Sequence, residues 1–167
     1  VMAALEGSRP LLTDVQALVA TTVFGNPRRM ASGIDQGRLA LLLAVMEKRA
    51  NFRLYDKDVY INIAGGMTLN EPAADLALCA AIASSFRNRP IEPNWAVMGE
   101  IGLAGEVRAV SQAERRAAEC ARLGFKHILL PKANLRAFRE GRESAEIELH
   151  GVETIAEAIA LLGLFSK

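Results

Sequence analysis

The sequence predicts one domain of mixed α/β or α+β architecture, with helices layered on sheets. Strand and helix patterns alternate along the C-terminal half, as is typical of these classes. The hydrophobic fraction is 51%, mostly alanine and leucine with 5% aromatic residues, and this composition favours closely packed helices. A chain of 167 residues can enclose one sizeable core. We expect residues 11–167 to form this domain and residues 1–10 to be a remnant linker from an upstream domain.

Residues 13–50 predict a strand, a loop and a helix. Imperfect alternation of apolar side chains predicts a strand or hairpin arm over residues 13–24, which Gly25-Asn26-Pro27 ends. A loop then runs to Gly33. Asp35 is the expected N-cap of a helix over residues 37–49. The apolar face of this helix comprises Leu39, Leu42, Leu43 and Met46.

The middle of the chain predicts a buried helix between strands. Residues 58–63 alternate as a strand that ends in the Gly65-Gly66 turn. Residues 73–87 predict a helix that is apolar almost all round, and such a helix is buried. After a loop over residues 88–93, strands over residues 96–101 and 106–110 are joined by a glycine turn.

The C-terminal third alternates helix and strand. Ser111-Gln112-Ala113-Glu114 has the pattern of a capping box, and the helix that it begins ends at Gly124. A short apolar strand over residues 127–130 stops at Pro131, and a short helix covers residues 133–139. A final strand and a final helix are expected over residues 147–149 and 154–162.

Composition narrows the class of protein. No apolar run reaches the roughly 18 residues that a membrane span requires, so we expect no membrane partner. The start at Val1 shows no signal-peptide pattern and suits an excised domain. Cys79 and Cys120 match no zinc or redox motif; two buried free thiols are expected, with a disulfide as the alternative. Free thiols indicate a reducing, cytoplasmic compartment.

The net charge of +1 gives no global argument for nucleic-acid binding. The charges are nevertheless unevenly distributed. Residues 106–142 hold nine Lys or Arg and four acids, whereas residues 143–167 hold five Glu and one Lys. Such segregation marks a basic face or is ordinary solvated helix surface.

Acidic residues cluster at the start of the predicted buried helix. Asn70 is a possible cap there, and Glu71 and Asp75 complement the helix dipole. A hydrolase or metal site would need a second acid across a cleft, which Glu100 or Glu106 could supply. The spacing does not require one, so we predict no metal site.

Other candidate residues have simpler explanations. The Gly65-Gly66 turn lacks the pattern of a phosphate-binding loop, which leaves a tight turn with positive φ. Glu114 is explained as the acidic end of the capping box. His127 and His150 are isolated from any Ser or Cys motif, so structural or exposed positions are expected for both.

Five arginines carry the main binding hypothesis. Arg28 and Arg29 lie in a predicted loop without nearby acids, Arg108 follows the glycine turn, and Arg115 and Arg116 begin the next helix. Guanidinium groups suit phosphate because of their fork geometry and permanent charge. Few aromatic residues are interleaved, so a nucleic acid would be bound through its backbone and with strong salt dependence.

Two segments resemble the active-site frame of Lon-type proteolytic domains, which use a Ser-Lys dyad. They are Asn62-Ile63-Ala64-Gly65-Gly66 with Asn70-Glu71-Pro72-Ala73-Ala74-Asp75-Leu76-Ala77, and Gly99-Glu100-Ile101-Gly102-Leu103-Ala104-Gly105-Glu106-Val107. Where that family places its serine and lysine, this chain has Ala73 and Glu114. A methyl group cannot attack a carbonyl, and a carboxylate cannot replace the activating amine, so we predict no peptidase activity.

Over almost the whole chain, the resemblance is to the Lon-like C-terminal domains of bacterial RadA (Sms) DNA-repair proteins. It is carried further by Leu5-Glu6-Gly7-Ser8-Arg9-Pro10-Leu11-Leu12, Gly25-Asn26-Pro27-Arg28-Arg29 and Asp58-Val59-Tyr60. It implies a Lon-like fold with ribosomal-protein-like layers of sheet and helices.

The same resemblance implies a function. RadA-type proteins carry a zinc finger and a RecA-like ATPase before this domain, form hexameric rings and drive branch migration in recombinational DNA repair. Their Lon-like domain is a non-proteolytic scaffold that contacts DNA, and a basic family position falls on Arg108. We therefore expect a homo-oligomeric ring, contact with single-stranded or branched DNA, and contact with the upstream ATPase. ATP, Mg²⁺ and Zn²⁺ are expected only in the upstream domains, and no cofactor in this one.

Two other functions stay open at this point. One is residual hydrolysis in the groove with Glu71 or Asp75. The other is a protein-binding module that holds a peptide in the groove without cutting it.

Overall fold

A computed structural model of the chain describes residues 2–6, 9–140 and 147–164. These ranges contain ten strands, five α-helices and three short 3₁₀ turns at Ala64–Gly66, Pro72–Ala74 and Lys132–Asn134. The elements in chain order are β1 (Met2–Glu6), β2 (Arg9–Thr13), β3 (Val15–Thr21), β4 (Arg29–Ser32), α1 (Gln36–Ala50), β5 (Lys57–Ile63), α2 (Asp75–Arg87), β6 (Trp95–Val97), β7 (Glu100–Ile101), β8 (Val107–Arg108), α3 (Ala113–Arg122), β9 (His127–Pro131), α4 (Leu135–Glu140), β10 (Glu148–Val152) and α5 (Ile155–Leu161).

The strands form two sheets and a separate hairpin. The five-stranded sheet has the order β10-β9-β6-β1-β2, with β1 and β2 antiparallel and the other neighbours parallel. The three-stranded sheet has the order β3-β5-β4, with β3 antiparallel and β4 parallel to β5. β7 and β8 pair as the hairpin. Mixed sheets with intervening helices confirm the predicted α/β (α+β) class.

The core lies around α1 and α2. α1 packs against β4, α2 packs against β3, and α5 covers both helices. All four residues of the predicted apolar face of α1 are buried, and α2 buries eight side chains, as expected for a helix that is apolar all round. Each fully buried leucine contributes about 1.5–3 kcal/mol, so these two helices supply much of the stabilisation. α3 packs separately on β1 and β2.

Several predicted turns and caps are confirmed. The Asp35 carboxylate accepts a hydrogen bond from the backbone N–H of Arg38 at 2.8 Å and caps α1. Gly65 and Gly66 both have positive φ, which explains the glycine pair as a tight turn. The predicted Asn70 cap is wrong, since within the described ranges no side chain caps the Pro72–Ala74 turn or α2.

The predicted capping box at the start of α3 is also wrong. Gln112 precedes the helix with a left-handed φ of 53°, and among the described residues no side chain caps this end. The Ser111 carbonyl instead accepts a hydrogen bond from Nε of Arg116 at 2.9 Å. Glu114 is exposed rather than folded back over the helix start.

Three strand predictions need correction, because β1 pairs with the adjacent strand β2, and β4 and β6 pair with strands that are distant in sequence. The expected linker over residues 1–10 instead contains β1 and the start of β2, and Met2 pairs with Val97. The predicted loop before Gly33 contains β4, which β5 binds in parallel. The predicted strand over residues 96–101 divides into β6 of the large sheet and β7 of the hairpin. Whether a domain precedes this one stays a prediction.

The cysteines and the helices match the composition. Cys79 and Cys120 are buried free thiols, so the disulfide alternative is wrong. Burial raises the pKa of the Cys120 thiol to about 12 and that of Cys79 further, which makes both thiols poor nucleophiles. Within the described ranges, none of the helices combines the length and apolar character that crossing a bilayer would require.

Candidate functional site

The two segments that resemble a protease frame lie side by side in the structure. The Pro72–Ala74 turn leads directly into α2, and Ala73 is buried. The Gly99 N–H donates to the Ala73 carbonyl at 3.0 Å, and the Leu76 N–H donates to the Gly99 carbonyl at 3.0 Å. These bonds hold the turn against the residues before β7.

Asp75 is the buried anchor of this frame. Its Oδ1 accepts from Nε of Arg38 at 2.9 Å, and its Oδ2 accepts from Nη2 of the same guanidinium. The backbone N–H of Ile101 donates to Oδ2 at 3.0 Å. Hydrogen bonding to Asp75 raises the pKa of Arg38 above its ordinary value. Through its ion pair with Arg38 and its bond to Ile101, Asp75 links α2 to α1 and β7. This role is structural and differs from that of a catalytic acid in a hydrolase.

Arg116 reaches the same frame from α3. Its Nη1 and Nη2 donate to the two carboxylate oxygens of Glu71 at 3.1 and 2.7 Å. The Arg116 side chain is 1% exposed and that of Glu71 is 21% exposed. A guanidinium paired with a carboxylate therefore lies beside the Glu71-Pro72-Ala73 turn, while Glu114 on the same helix faces solvent.

Sequence reasoning missed this role of Arg116, although a signal was present. Arg116 shares a helix face with Ala113, Ala117 and Cys120, which are all buried. An arginine within an apolar stripe indicates a buried ion pair, since an unpaired charge there would be too costly.

A small pocket of about 260 Å³ opens beside the turn. Arg38, Glu71 and Asp75 are among the residues that line it. Its other lining residues are Ile34, Asp35, Leu69, Asn70, Pro72, Ala74 and Leu78. Arg38 is paired with Asp75 and Glu71 with Arg116, while Asp35 accepts the Arg38 backbone N–H as the cap of α1.

The β7–β8 hairpin positions the two acids that were considered as partners for a hydrolase or metal site. Glu106 accepts from the Ala104 N–H at 3.0 Å and from Nη2 of Arg108 at 2.8 Å. Glu100 lies 3.9 Å from Nη1 of Arg108. Backbone hydrogen bonding, followed by the bond from Arg108, holds the pKa of Glu106 below its ordinary value. Both acids thus flank Arg108, which is 56% exposed.

The five candidate arginines differ in their availability. Arg28 and Arg115 are exposed, and Arg115 donates to Oε1 of Gln112 at 3.3 Å. Arg29 is half-buried and donates to the Leu54 carbonyl at 3.1 Å. The structure contradicts a DNA contact by Arg116, because its guanidinium is buried against Glu71.

The two histidines, for which structural or exposed positions were expected, lie next to each other in the structure. Nδ1 of His127 lies 3.2 Å from Nε2 of His150, across the parallel strands β9 and β10. Both rings pack against the indole of Trp95. Only the alignment of β9 with β10 reveals this cluster, and local sequence patterns do not give that alignment.

Comparison with known proteins agrees with this frame. The family model of the Lon protease (S16) C-terminal proteolytic domain matches residues 40–163. The chain is 49% identical over 159 residues to DNA repair protein RadA of Halalkalibacterium halodurans and 50% identical to that of Bacillus subtilis. It is 45% identical to DNA repair protein RadA of Listeria monocytogenes. Each alignment covers 95% of this chain and 34% of the relative, so the chain spans about a third of the length of these curated relatives.

The matched region extends from α1 to the end of α5, and so includes both segments of the frame around Ala73. The resemblance seen in the sequence is thereby confirmed. The chain belongs to the family of Lon protease (S16) C-terminal proteolytic domains.

Proposed function

We propose that this chain is the Lon-like domain of a RadA-type DNA-repair protein, in which it is a non-proteolytic scaffold for ring assembly and contacts the DNA backbone. The observation that carries the proposal is the frame around Ala73. In this member of the Lon family, the frame contains an alanine methyl group and the Glu71–Arg116 ion pair. The names of the relatives, DNA repair protein RadA, support the role in repair.

The chemistry of the frame argues against peptide hydrolysis. Ala73 offers no nucleophile, and Glu114 faces solvent. The cation that enters the frame is a guanidinium, which stays protonated and cannot act as the general base that a Ser-Lys dyad requires. Glu71 and Asp75, the acids of the hydrolase alternative, are both engaged in ion pairs.

An exposed apolar surface supports assembly. Leu18 of β3 and Met30 of β4 both lie in register with Tyr60 of β5, so the three side chains form a row across the three-stranded sheet. Leu18 is 59% exposed and Met30 is 58% exposed. Phe24, beyond the end of β3, is 86% exposed. We call Leu18, Met30 and Tyr60 the sheet row. Contiguous apolar surface of this kind indicates a protein interface, and a ring would join it to a different face of the next copy.

Arg28 and Arg108 are the better candidates for DNA contact, with Arg29 and Arg115 as secondary ones. Arg28 is exposed, and its backbone N–H donates to Asp58 at 2.7 Å, which fixes the start of its segment. The Arg108 side chain is 56% exposed, although Glu100 and Glu106 partly neutralise its charge. We also propose that the domain contacts an upstream RecA-like ATPase and that the protein is cytoplasmic. ATP, Mg²⁺ and Zn²⁺ would be bound in the upstream domains.

Light scattering combined with titration of single-stranded DNA tests the proposal. We expect a hexamer-sized particle that binds DNA with salt-dependent affinity. Arg28→Ala and Arg108→Ala should each weaken binding and reduce the slope of log K against log salt by about 0.7 for each phosphate that the variant no longer neutralises. Arg122→Ala is the matched control, because Arg122 is an exposed arginine paired with Glu119 and should leave binding unchanged.

A monomer that does not bind DNA would contradict both parts of the proposal. A hexamer that does not bind DNA would support the scaffold role and contradict the DNA contact. Equal losses in Arg28→Ala and Arg122→Ala would show that only net charge matters. A casein or peptide cleavage assay tests the hydrolase alternative. Cleavage by the natural chain that disappears in Glu71→Ala would support that alternative.

A peptide-binding groove is the second candidate, and the pocket beside the turn is the observation that favours it. Its volume of about 260 Å³ lies just below the range of about 300–1,000 Å³ that is usual for ligand sites. Three of the charged side chains that line it, Arg38, Asp75 and Glu71, are also already in ion pairs. These properties favour the scaffold over the peptide binder. A pull-down of protein partners that DNA does not compete would reverse that preference.

A further inference from the structure

Three side chains that can bind a metal ion lie together on one face of the five-stranded sheet. β9 and β10 are parallel, and His127 is in register with Glu148. His150 lies two residues beyond Glu148 and therefore points to the same face of β10. The strand register thus brings His127, Glu148 and His150 into contact, apart from the frame around Ala73 and from the arginines discussed above.

The distances between these groups suit a zinc-sized ion. Nδ1 of His127 lies 3.2 Å from Nε2 of His150 and 3.3 Å from Oε2 of Glu148. Nε2 of His150 lies 3.7 Å from Oε1 of Glu148. Tetrahedral zinc bonds of about 2.0–2.2 Å place their donors about 3.3–3.6 Å apart, so small side-chain movements would complete the geometry. One ligand atom from each residue lies within 4.8 Å of the other two.

Trp95 holds both imidazole rings in place. Trp95 is in register with His127, and the two rings stack with centroids 4.8 Å apart and an interplanar angle of 20°. The His150 ring lies 4.6 Å from the indole at 33°. Rings that are already oriented lose little rotational freedom when they bind an ion, which favours affinity.

The donor types also suit a metal ion. A neutral imidazole keeps the lone pair that a metal needs. Imidazole and carboxylate donors favour Zn²⁺ and its borderline neighbours Co²⁺ and Ni²⁺ over the oxygen-preferring Mg²⁺ and Ca²⁺.

We propose that His127, Glu148 and His150 form a binding site for a divalent cation of the zinc class, with solvent completing the coordination shell. The Glu148 side chain is 65% exposed and those of the histidines are 28% and 19% exposed, so an ion can enter from solvent. Bound metal would link β9 to β10 under the Trp95 ring. The proposal departs from the expectation of no metal in this domain, and it is independent of the proposed role in DNA repair.

The chain offers a sharp test, because it contains two histidines and one tryptophan. The 167-residue chain, free of any histidine tag, is titrated with Zn²⁺ by calorimetry and with Co²⁺ by absorption and Trp95 fluorescence. We expect one saturable site per chain, quenching of Trp95 by Co²⁺, and d–d absorption without a thiolate charge-transfer band. His127→Ala and His150→Ala should each weaken binding by at least about tenfold, and Glu148→Gln by less.

Glu153→Gln is the matched control, since Glu153 is an exposed glutamate three residues after His150 that pairs with Lys132 instead. Its Zn²⁺ affinity should equal that of the natural chain. Each variant is melted in EDTA first, and His127→Asn or His150→Asn replaces any alanine variant that does not fold. Zn²⁺ should raise the melting temperature of the natural chain but not that of the double variant that combines His127→Ala and His150→Ala. Equal Zn²⁺ affinity in the natural chain and the double variant, a thiolate band, or no saturable binding would overturn the proposal.

Discussion

Arg116 forms a buried ion pair that joins two parts of the chain distant in sequence. It contacts both carboxylate oxygens of Glu71 and the Ser111 carbonyl, and so ties the start of α3 to the turn before α2. The sequence analysis explained Glu114, on the same helix, as the acid of a capping box and did not identify Arg116 as the residue that reaches the frame. The family resemblance thus located the frame correctly, but the side chain that enters the frame could be identified only from the helix face.

Removing Arg116 should destabilise the domain more than removing an exposed arginine. Arg116→Met leaves the Glu71 carboxylate without its bidentate partner, and breaking a buried pair costs about 3–5 kcal/mol, with the lower end expected because Glu71 stays 21% exposed. Urea unfolding followed by circular dichroism measures the change. Arg122→Met removes an exposed pair with Glu119 and should change stability by about 1 kcal/mol or less. Equal stability of the two variants would show that the Glu71 contact is not structural.

His150 should make the stability of the domain depend on pH in a defined window. Burial lowers its folded-state pKa below the ordinary value of 6.5, so the folded protein prefers the neutral ring. Its stabilising contribution is therefore complete above pH 6.5 and is lost as the pH falls through the folded-state pKa. Asp58 and Glu106 also have lowered pKa values, but their ordinary values of 3.8 and 4.5 place their effects at lower pH.

The measurement is the urea midpoint in EDTA between neutral pH and about pH 5, together with NMR titration of the two histidines. His150→Gln should flatten the stability profile in this window, while the decline at lower pH stays as in the natural chain. A His150 resonance that titrates above its ordinary pKa would contradict this prediction.

At the scale of elements, the predictability of most of the fold follows the distance to each element's partners. α1 and α2 were predicted because their apolar periodicity is a local signal. β1 was missed although its main partner, β2, is the next strand of the chain. β4 and the division between β6 and β7 were missed, because β4 pairs with β5 and β6 pairs with β9 and β1, which are all distant in sequence. The start of α3 was misassigned for a related reason, since a long-range ion pair replaces the local cap.

The connection from β4 to α1 should be the most sensitive turn of the domain. Gly33 has a φ of 91°, its carbonyl accepts from the Leu69 N–H at 2.7 Å, and an added Cβ would lie 2.5 Å from the Met67 carbonyl oxygen. Gly124 has a similar φ of 87° and nothing within 4 Å of an added Cβ. Gly124→Ala should therefore cost about 1–2 kcal/mol from backbone strain alone. Gly33→Ala should cost at least about 1 kcal/mol more, because backbone must also move.

Urea denaturation of the two alanine variants compares these free energies directly. Near-equal losses would mean that the loop at Met67 shifts freely to admit a methyl group. A larger loss in Gly33→Ala would show that this connection is rigid, which is what holding Arg38 against Asp75 requires.

At the scale of the whole molecule, the domain keeps the backbone frame of a peptidase family while its exposed features lie elsewhere. The groups around Ala73 are buried or paired with one another. The sheet row, by contrast, presents apolar side chains to solvent on the three-stranded sheet. A protein that acts through assembly is expected to show this distribution, because its active surface is its interface.

A charge placed in the sheet row should therefore abolish self-association without unfolding the chain. Met30 is 58% exposed, so Met30→Glu costs little in the monomer, but it would place a carboxylate in an apolar contact. Light scattering should show the particle mass falling toward that of the 18.0 kDa chain. Leu123→Glu is the matched control, since Leu123 is an apolar side chain that is 48% exposed at the end of α3, and it should leave the mass unchanged. If Met30→Glu assembles like the natural chain, the sheet row is not the interface. If both variants dissociate, assembly depends on net charge rather than on this surface.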